Sequence, residues 1–351
     1  MANKTALEFQ YLDELFESFI ENLQLVIDKL KEEDSSRNAA PDFTLIDFWS
    51  KLETGYKSMS AEASKFSLWF SKPPLPKREE CESLMESVQR VSLVIVSAYY
   101  GLPKEHGVRL RKYVRRSVLD VIDGVQTLAK RIKDERYQCS QGQLQSTGTV
   151  WEACDEFTSL PKNNCEAILQ VIKNSSELVK DALQELQEAQ ETGGERDTGW
   201  DDIDEVLGRV DINDTNRNTW SEGDKAVLPP CIGLVKAARS CLKKVSTAVK
   251  SNGQWEDAHS IAQLDDLADI VDEVSPSVDE LVSCVYAPMR HSVIRTNANQ
   301  LSGVLLHLLG RCKATHVCKQ EDTTWLNFLD QAVHHNLEKI KNLTTNEQDT
   351  S

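Results

Sequence analysis

The sharpest chemical pattern in this chain is Asp265-Asp266-Leu267-Ala268-Asp269. It matches the Asp-Asp-x-x-Asp arrangement by which all-helical isoprenoid synthases hold magnesium and diphosphate. Residues three and four apart share a helix face, so Asp265 or Asp266 together with Asp269 would offer two carboxylates to one hard cation. Asp201-Asp202-Ile203-Asp204-Glu205 is a looser second match, set in a glycine-studded stretch that cannot hold carboxylates rigid. Against the metal reading, Leu264, Leu267, Val271 and Val274 form an apolar stripe at helical spacing, which makes the acids its solvated face. No Arg-Arg-Gly follows either match. The solvated-face reading is preferred and no metal or cofactor is expected. A metal-dependent enzyme acting on an isoprenoid diphosphate through Asp265, Asp266 and Asp269 stands as the alternative.

A second constellation is basic. Arg109, Arg111, Lys112, Arg115 and Arg116 precede the apolar positions Val121, Ile122, Val125, Leu128 and Ile132. On one helix the basic residues would fan over one side, away from the apolar stripe. Nucleic-acid binding is one use for such a run, but a net charge of −16 opposes it. A solvated face, or a dock for an acidic partner or for the chain's own acidic stretch, is the preferred reading. His307, Cys312, His316 and Cys318 gather near one helix end without the paired short spacing of a zinc site. Pro73-Pro74-Leu75-Pro76 contains a minimal Pro-x-x-Pro, which reads as a stiff connection between helices before it reads as a ligand for an adaptor domain. The chain has no Gly-x-Ser-x-Gly, Walker loop, Gly-x-Gly-x-x-Gly or His-Glu-x-x-His, which favours binding over catalysis.

The elements that must position these residues are helical. Leu12, Leu15, Phe16, Phe19, Ile20, Leu23, Val26, Ile27 and Leu30 recur at spacings of three and four, the signature of one buried helix face. Further helices are predicted over about 42–70, 77–100, 105–137 and 150–191, the last broken at Leu160-Pro161, with 138–149 a polar loop. After Pro229-Pro230, helices are predicted over about 231–251, 255–274, 278–286, 289–315 and 322–343. Between Glu191 and Asp224 there are eleven acids against three basic residues. With its sparse apolar residues, that stretch reads as an acidic flexible linker. The expected architecture is all-α: an N-terminal bundle over 1–190, the linker over 191–224, a C-terminal bundle over 225–343 and a polar tail over 344–351. Nine scattered cysteines without a Cys-x-x-Cys pair suggest reduced thiols inside a cell. No run reaches the ~18–20 apolar residues of a membrane span, and the start lacks the apolar core of a signal peptide.

Several ordered blocks resemble the cyclin-D-binding protein family, also described as maternal-Id-like helix–loop–helix proteins. They are Tyr99-Tyr100-Gly101-Leu102-Pro103-Lys104 with Leu110-Arg111-Lys112, Leu119-Asp120 to Gly124, Val150-Trp151 with Ala153-Cys154, and Pro230-Cys231 with Cys241-Leu242-Lys243-Lys244. The longest runs from Ala262-Gln263-Leu264-Asp265-Asp266 through Asp272-Glu273-Val274-Ser275-Pro276-Ser277-Val278-Asp279. The likeness extends over about 48–343. It implies an all-helical, non-enzymatic interaction protein of cytoplasm and nucleus that binds a D-type cyclin and restrains retinoblastoma-protein phosphorylation and cell-cycle entry. It also implies binding to helix–loop–helix transcription regulators and to an adaptor protein, without direct contact to nucleic acid or membrane. The basic run from Arg109 to Arg116 lacks a Glu-x-x-Arg reading pattern, in keeping with the family's lack of a DNA-binding basic region. The first ~40 residues and the acidic stretch depart from the family pattern.

Overall fold

The computed structural model describes residues 2–32, 43–72, 74–135, 137, 140–192 and 220–345, with side chains from residue 10 onward and that of residue 192 excepted. The described residues form ten α-helices and three short 3-10 turns, with no strand among them. The protein is all-α. Two compact units divide at Asn163 and Asn164.

The first unit packs α1 (Ala2–Lys31), α2 (Leu45–Trp69), α3 (Arg78–Gly101), α4 (Val108–Asp134) and α5 (Gln141–Asp155). Neighbouring pairs are α2 with α3, α4 with α5, α1 with α4 and α2 with α5. The periodic residues of α1 do what their spacing implies, since Leu12, Phe16, Phe19, Leu23, Ile27 and Leu30 are all buried. Phe16 lies 5.7 Å from Phe66 and 5.2 Å from both Phe70 and Tyr137 between ring centroids. These are edge and tilted contacts of the kind aromatic quadrupoles favour. Tyr137 has φ of 59°, unusual for a residue with a Cβ. Two interactions hold it there: its N–H donates to Ile132 O at 2.9 Å, and its hydroxyl donates to Asp13 Oδ1 at 2.7 Å.

The stretch read as a loop over 138–149 is largely α5. Ser140 caps it, accepting from the Gln143 N–H at 3.0 Å. Two of the polar residues that suggested a loop are buried and hydrogen-bonded: Gln143 Nε2 donates to Ser67 O at 2.7 Å, and the Thr147 hydroxyl donates to Ser67 Oγ at 2.9 Å, while Gln143 Oε1 has no partner among the described residues. Burial of polar groups is tolerated when their hydrogen bonds are made.

The second unit packs α6 (Asn164–Thr192), α7 (Glu222–Asn252), α8 (Ala258–Ser283), α9 (His291–Lys313) and α10 (Thr323–Thr344). Here α6 lies against α7 and α8, α7 against α10, and α9 against α8 and α10. The boundary expected after residue 190 thus falls at the far end of α6, because Ala167, Ile168, Ile172, Val179, Leu183 and Leu186 bury their stripe in the second unit. Residues 193–219, the bulk of the predicted linker, and 346–351 of the predicted tail lie outside the described residues.

Two predicted breaks are absent. α7 begins at Glu222 and carries Pro229 and Pro230 inside it. Each proline removes a helical hydrogen bond at a cost of about 3 kcal/mol. A capping box between Ser221 and Asp224 and burial of Val227, Leu228, Pro230 and Cys231 offset that loss. Likewise Pro276 sits within α8 and does not start a helix, because Val274 and Val278 on either side belong to one continuous buried stripe.

The aromatic cluster sets the first stability test. Phe16→Ala is expected to cost about 3–5 kcal/mol in denaturant unfolding, as a large-to-small change in a packed core. Tyr56→Phe, which removes only the 2.9 Å hydrogen bond to Ser117, is expected to cost about 1 kcal/mol. Equal costs for the two would show that the ring cluster is not the organising core.

Candidate protein-interaction surfaces

The acids singled out by the Asp-Asp-x-x-Asp pattern have protein partners. Asp265 Oδ1 accepts from Asn164 Nδ2 at 3.1 Å, and Asp266 pairs with Arg311. Asp269 is exposed. The stripe behind them is as expected, with Leu264, Leu267, Val271 and Val274 fully buried. Asp265 and Asp266 therefore turn to different neighbours. The looser match at 201–205 lies outside the described residues.

The histidine and cysteine cluster is spoken for in the same way. His307 is exposed and Cys312 is buried. His316 Nδ1 lies 2.8 Å from Gln263 Oε1, and its Nε2 accepts from the Gln254 N–H at 3.1 Å. An acceptor Nε2 fixes the neutral tautomer with the proton on Nδ1. Burial, which penalises the charged ring, lowers the His316 pKa in the same sense.

The basic run is divided by the structure. Arg109 and Arg111 are 7% and 4% exposed. Both are packed into the unit, which corrects the expectation of a single solvated basic face. Arg111 lies three residues before the buried Val114, about 60° around the helix from it, so it enters the apolar stripe. Its guanidinium sits 5.0 Å from the centroid of the Tyr99 ring, a cation–π contact. Lys112 and Arg116 are exposed and Arg115 half-buried. Arg116 is partly engaged by Asp120 at 3.0 Å on the same helix. The surface cations available to a partner are therefore Lys112, Arg115 and Arg116.

A second surface was not legible as a motif. Between α2 and α3 runs an open groove of about 670 Å³. Phe43, Phe48, Leu93, Val94 and Ala98 line it, with Asp47, Lys51 and Arg90 at its sides. Leu93 and Val94 are 58% and 51% exposed. Adjacent apolar side chains left in water beside a groove are a recurring mark of protein contact. The sequence signal was Val91 to Val96, whose apolar run is wider than one helix stripe requires. Pro73 of the Pro-x-x-Pro lies outside the described residues, while the Pro76 carbonyl accepts from the Cys81 thiol at 3.6 Å, within a connection between helices.

Two family models cover most of the chain. The N-terminal model of the Grap2 and cyclin-D-interacting family matches residues 51–192, and its C-terminal model matches 197–309. The chain belongs to this family. It is a family of interaction proteins and not of enzymes. Among curated relatives, the cyclin-D1-binding protein 1 homologue of Xenopus laevis is 43% identical over 326 residues, covering 92% of this chain and 96% of that protein. The homologue of Danio rerio is 41% identical, covering 90% and 91%. Cyclin-D1-binding protein 1 of Homo sapiens is 34% identical, covering 93% and 92%. The family models divide the chain near 192–197, whereas packing divides it at 163 and 164. The helix between those two points, α6, belongs to the N-terminal model by sequence and to the second unit by burial.

The eight described cysteines sit where burial disfavours the thiolate. Burial pushes the thiols of Cys81, Cys154, Cys231, Cys241 and Cys312 up to about 12. The same cause raises Cys165, Cys284 and Cys318. Only the last two of the eight described cysteines are not fully buried. In a time course of thiol alkylation at pH 8, Cys284 and Cys318 are expected to label first. The five thiols near 12 present on the order of 10⁻⁴ of their population as thiolate and should label slowly. Labelling of Cys241 as fast as Cys318 would contradict this packing.

Proposed function

We propose that this chain binds a D-type cyclin and, by occupying it, restrains retinoblastoma-protein phosphorylation and cell-cycle entry without a catalytic step of its own. The observation that carries this reading is the set of relatives named cyclin-D1-binding protein, 33–43% identical over 81–93% of the chain. Binding to helix–loop–helix transcription regulators and to an adaptor protein, and residence in both cytoplasm and nucleus, belong to the same proposal. Two surfaces of the first unit suit such work. The groove between α2 and α3 offers apolar anchoring ground, and Lys112, Arg115 and Arg116 on α4 can steer an acidic partner. Apolar contacts of this kind set affinity, whereas exposed charge acts mainly on the rate of association.

The test is a titration of the full chain against a purified D-type cyclin in complex with its kinase, with retinoblastoma-protein phosphorylation as a second readout. The parent chain is expected to bind and to slow phosphorylation. Leu93→Glu with Val94→Glu is expected to weaken binding by about tenfold or more, the loss typical of a disrupted anchor. Arg115→Glu with Arg116→Glu is expected to slow association several-fold at low salt, with the difference shrinking as salt screens exposed charge over ~8–10 Å. Failure of the parent chain to bind the cyclin would refute the reading. Binding indifferent to both pairs would move the interface elsewhere.

A further inference from the structure

The outer face of α7 is basic along its length. From Lys225 to Asn252 there are six basic residues and no Asp or Glu, in a chain of net charge −16. Lys225 is paired with Glu222 at 2.8 Å. Arg239, Lys243 and Lys250 are exposed and make no ion pair among the described residues. α6 runs antiparallel to α7, with Cys165 Sγ 3.7 Å from Val249 O near one end. Between the two helices lies an open groove of about 630 Å³. Arg239, Lys243 and Lys250 form its α7 side and Lys173 projects from α6, over a floor that includes Leu169 and Leu242. Unpaired cations held beside apolar ground are a surface prepared for a counter-charge that comes from elsewhere.

We propose that this groove docks an extended, acidic segment of a partner protein. The spacing of the cations fixes the spacing of the acids. At 1.5 Å per residue, Arg239 and Lys243 stand about 6 Å apart along α7, and Lys243 and Lys250 about 10.5 Å. An extended chain advances about 3.3 Å per residue with alternate side chains on one face, so acids at its first, third and seventh positions share a face and stand about 6.6 and 13 Å apart, within reach of the three flexible cations in turn. The even-numbered side chains then face the Leu169 and Leu242 floor. The groove also limits what can enter. Glu166 lines it on α6 toward the Lys250 end, and Glu177, 3.9 Å from Lys173, lines it toward the Arg239 end. A continuous polyanion, such as a nucleic acid backbone, would run into both carboxylates. A segment with three or four charges fits between them. This goes beyond cyclin binding and does not depend on it, since the groove lies wholly within the second unit.

The experiment uses the full chain and a fluorescent peptide, Glu-Val-Glu-Thr-Ser-Val-Glu, flanked by Gly-Ser. Controls are a peptide of equal composition with its acids at positions one, two and three, and a Gln-for-Glu version. Saturable binding is expected, weaker for the respaced peptide and lost for the Gln version. Arg239→Glu with Lys243→Glu is expected to weaken it by about tenfold or more, and Lys236→Glu with Lys244→Glu, charge-matched but outside the groove, by about twofold or less. If circular dichroism shows that the first pair does not fold, Arg239→Gln with Lys243→Gln should still weaken binding about threefold or more. The proposal is overturned if both pairs weaken binding equally, if no peptide saturates, or if the respaced peptide binds as well as the first. It is likewise overturned if an oligothymidylate or phosphatidylserine vesicles bind through Arg239 more tightly than the peptide does.

Discussion

Everything in this fold rests on one constraint: each helix has a single apolar stripe, and only other helices are present to cover it. In a folded protein most of a helix's stability comes from burying that stripe. The first unit meets the constraint around Phe16, Phe66, Phe70 and Tyr137, which join α1, α2 and the end of α4 through ring contacts of 5.2–5.9 Å. Tyr137 shows how far this goes. A backbone conformation that a bulky residue avoids persists because the ring is fixed on one side and the hydroxyl on the other. The second unit meets the same constraint with aliphatic residues, the stripe of α8 being buried without a break across Pro276.

That constraint also explains what the sequence revealed and what it hid. Apolar periodicity records which residues a helix buries, so α1 and the stripe Leu264, Leu267, Val271 and Val274 could be read directly. It does not record polar burial. α5 was invisible because Gln143 and Thr147, its inward residues, hydrogen-bond to Ser67, a partner 76 and 80 positions away. Proline signals failed for a related reason. They report a local cost, and at Pro229, Pro230 and Pro276 that cost is outweighed by burial on both sides. The unit boundary was displaced because composition marks where the chain leaves α6, whereas packing decides which bundle α6 joins.

The surfaces were less legible than the core. A run of five basic residues looked like one face, yet helical phase takes Arg111 inward to the Tyr99 ring and leaves Lys112, Arg115 and Arg116 outside. The basic face of α7 was missed because its six cations are spread over 26 residues with no run longer than Lys243-Lys244. Its signal is an absence of acids from 225 to 252, in a chain that carries 56 of them.

A family of interaction proteins can be built this way for the same physical reason. A bundle covers its stripes completely only where helices have neighbours on both sides, so some apolar and charged surface is left at the margins. On α3, Leu93 and Val94 stand in water beside a groove although Ser92 and Ile95, next to them in sequence, are buried. Removing those two exposed side chains would cost the core little, because their neighbours already fill it. Their exposure is therefore not a demand of folding. The unpaired cations of α7 carry the same implication, since exposed charges without partners add little to stability and mutual repulsion between them subtracts from it.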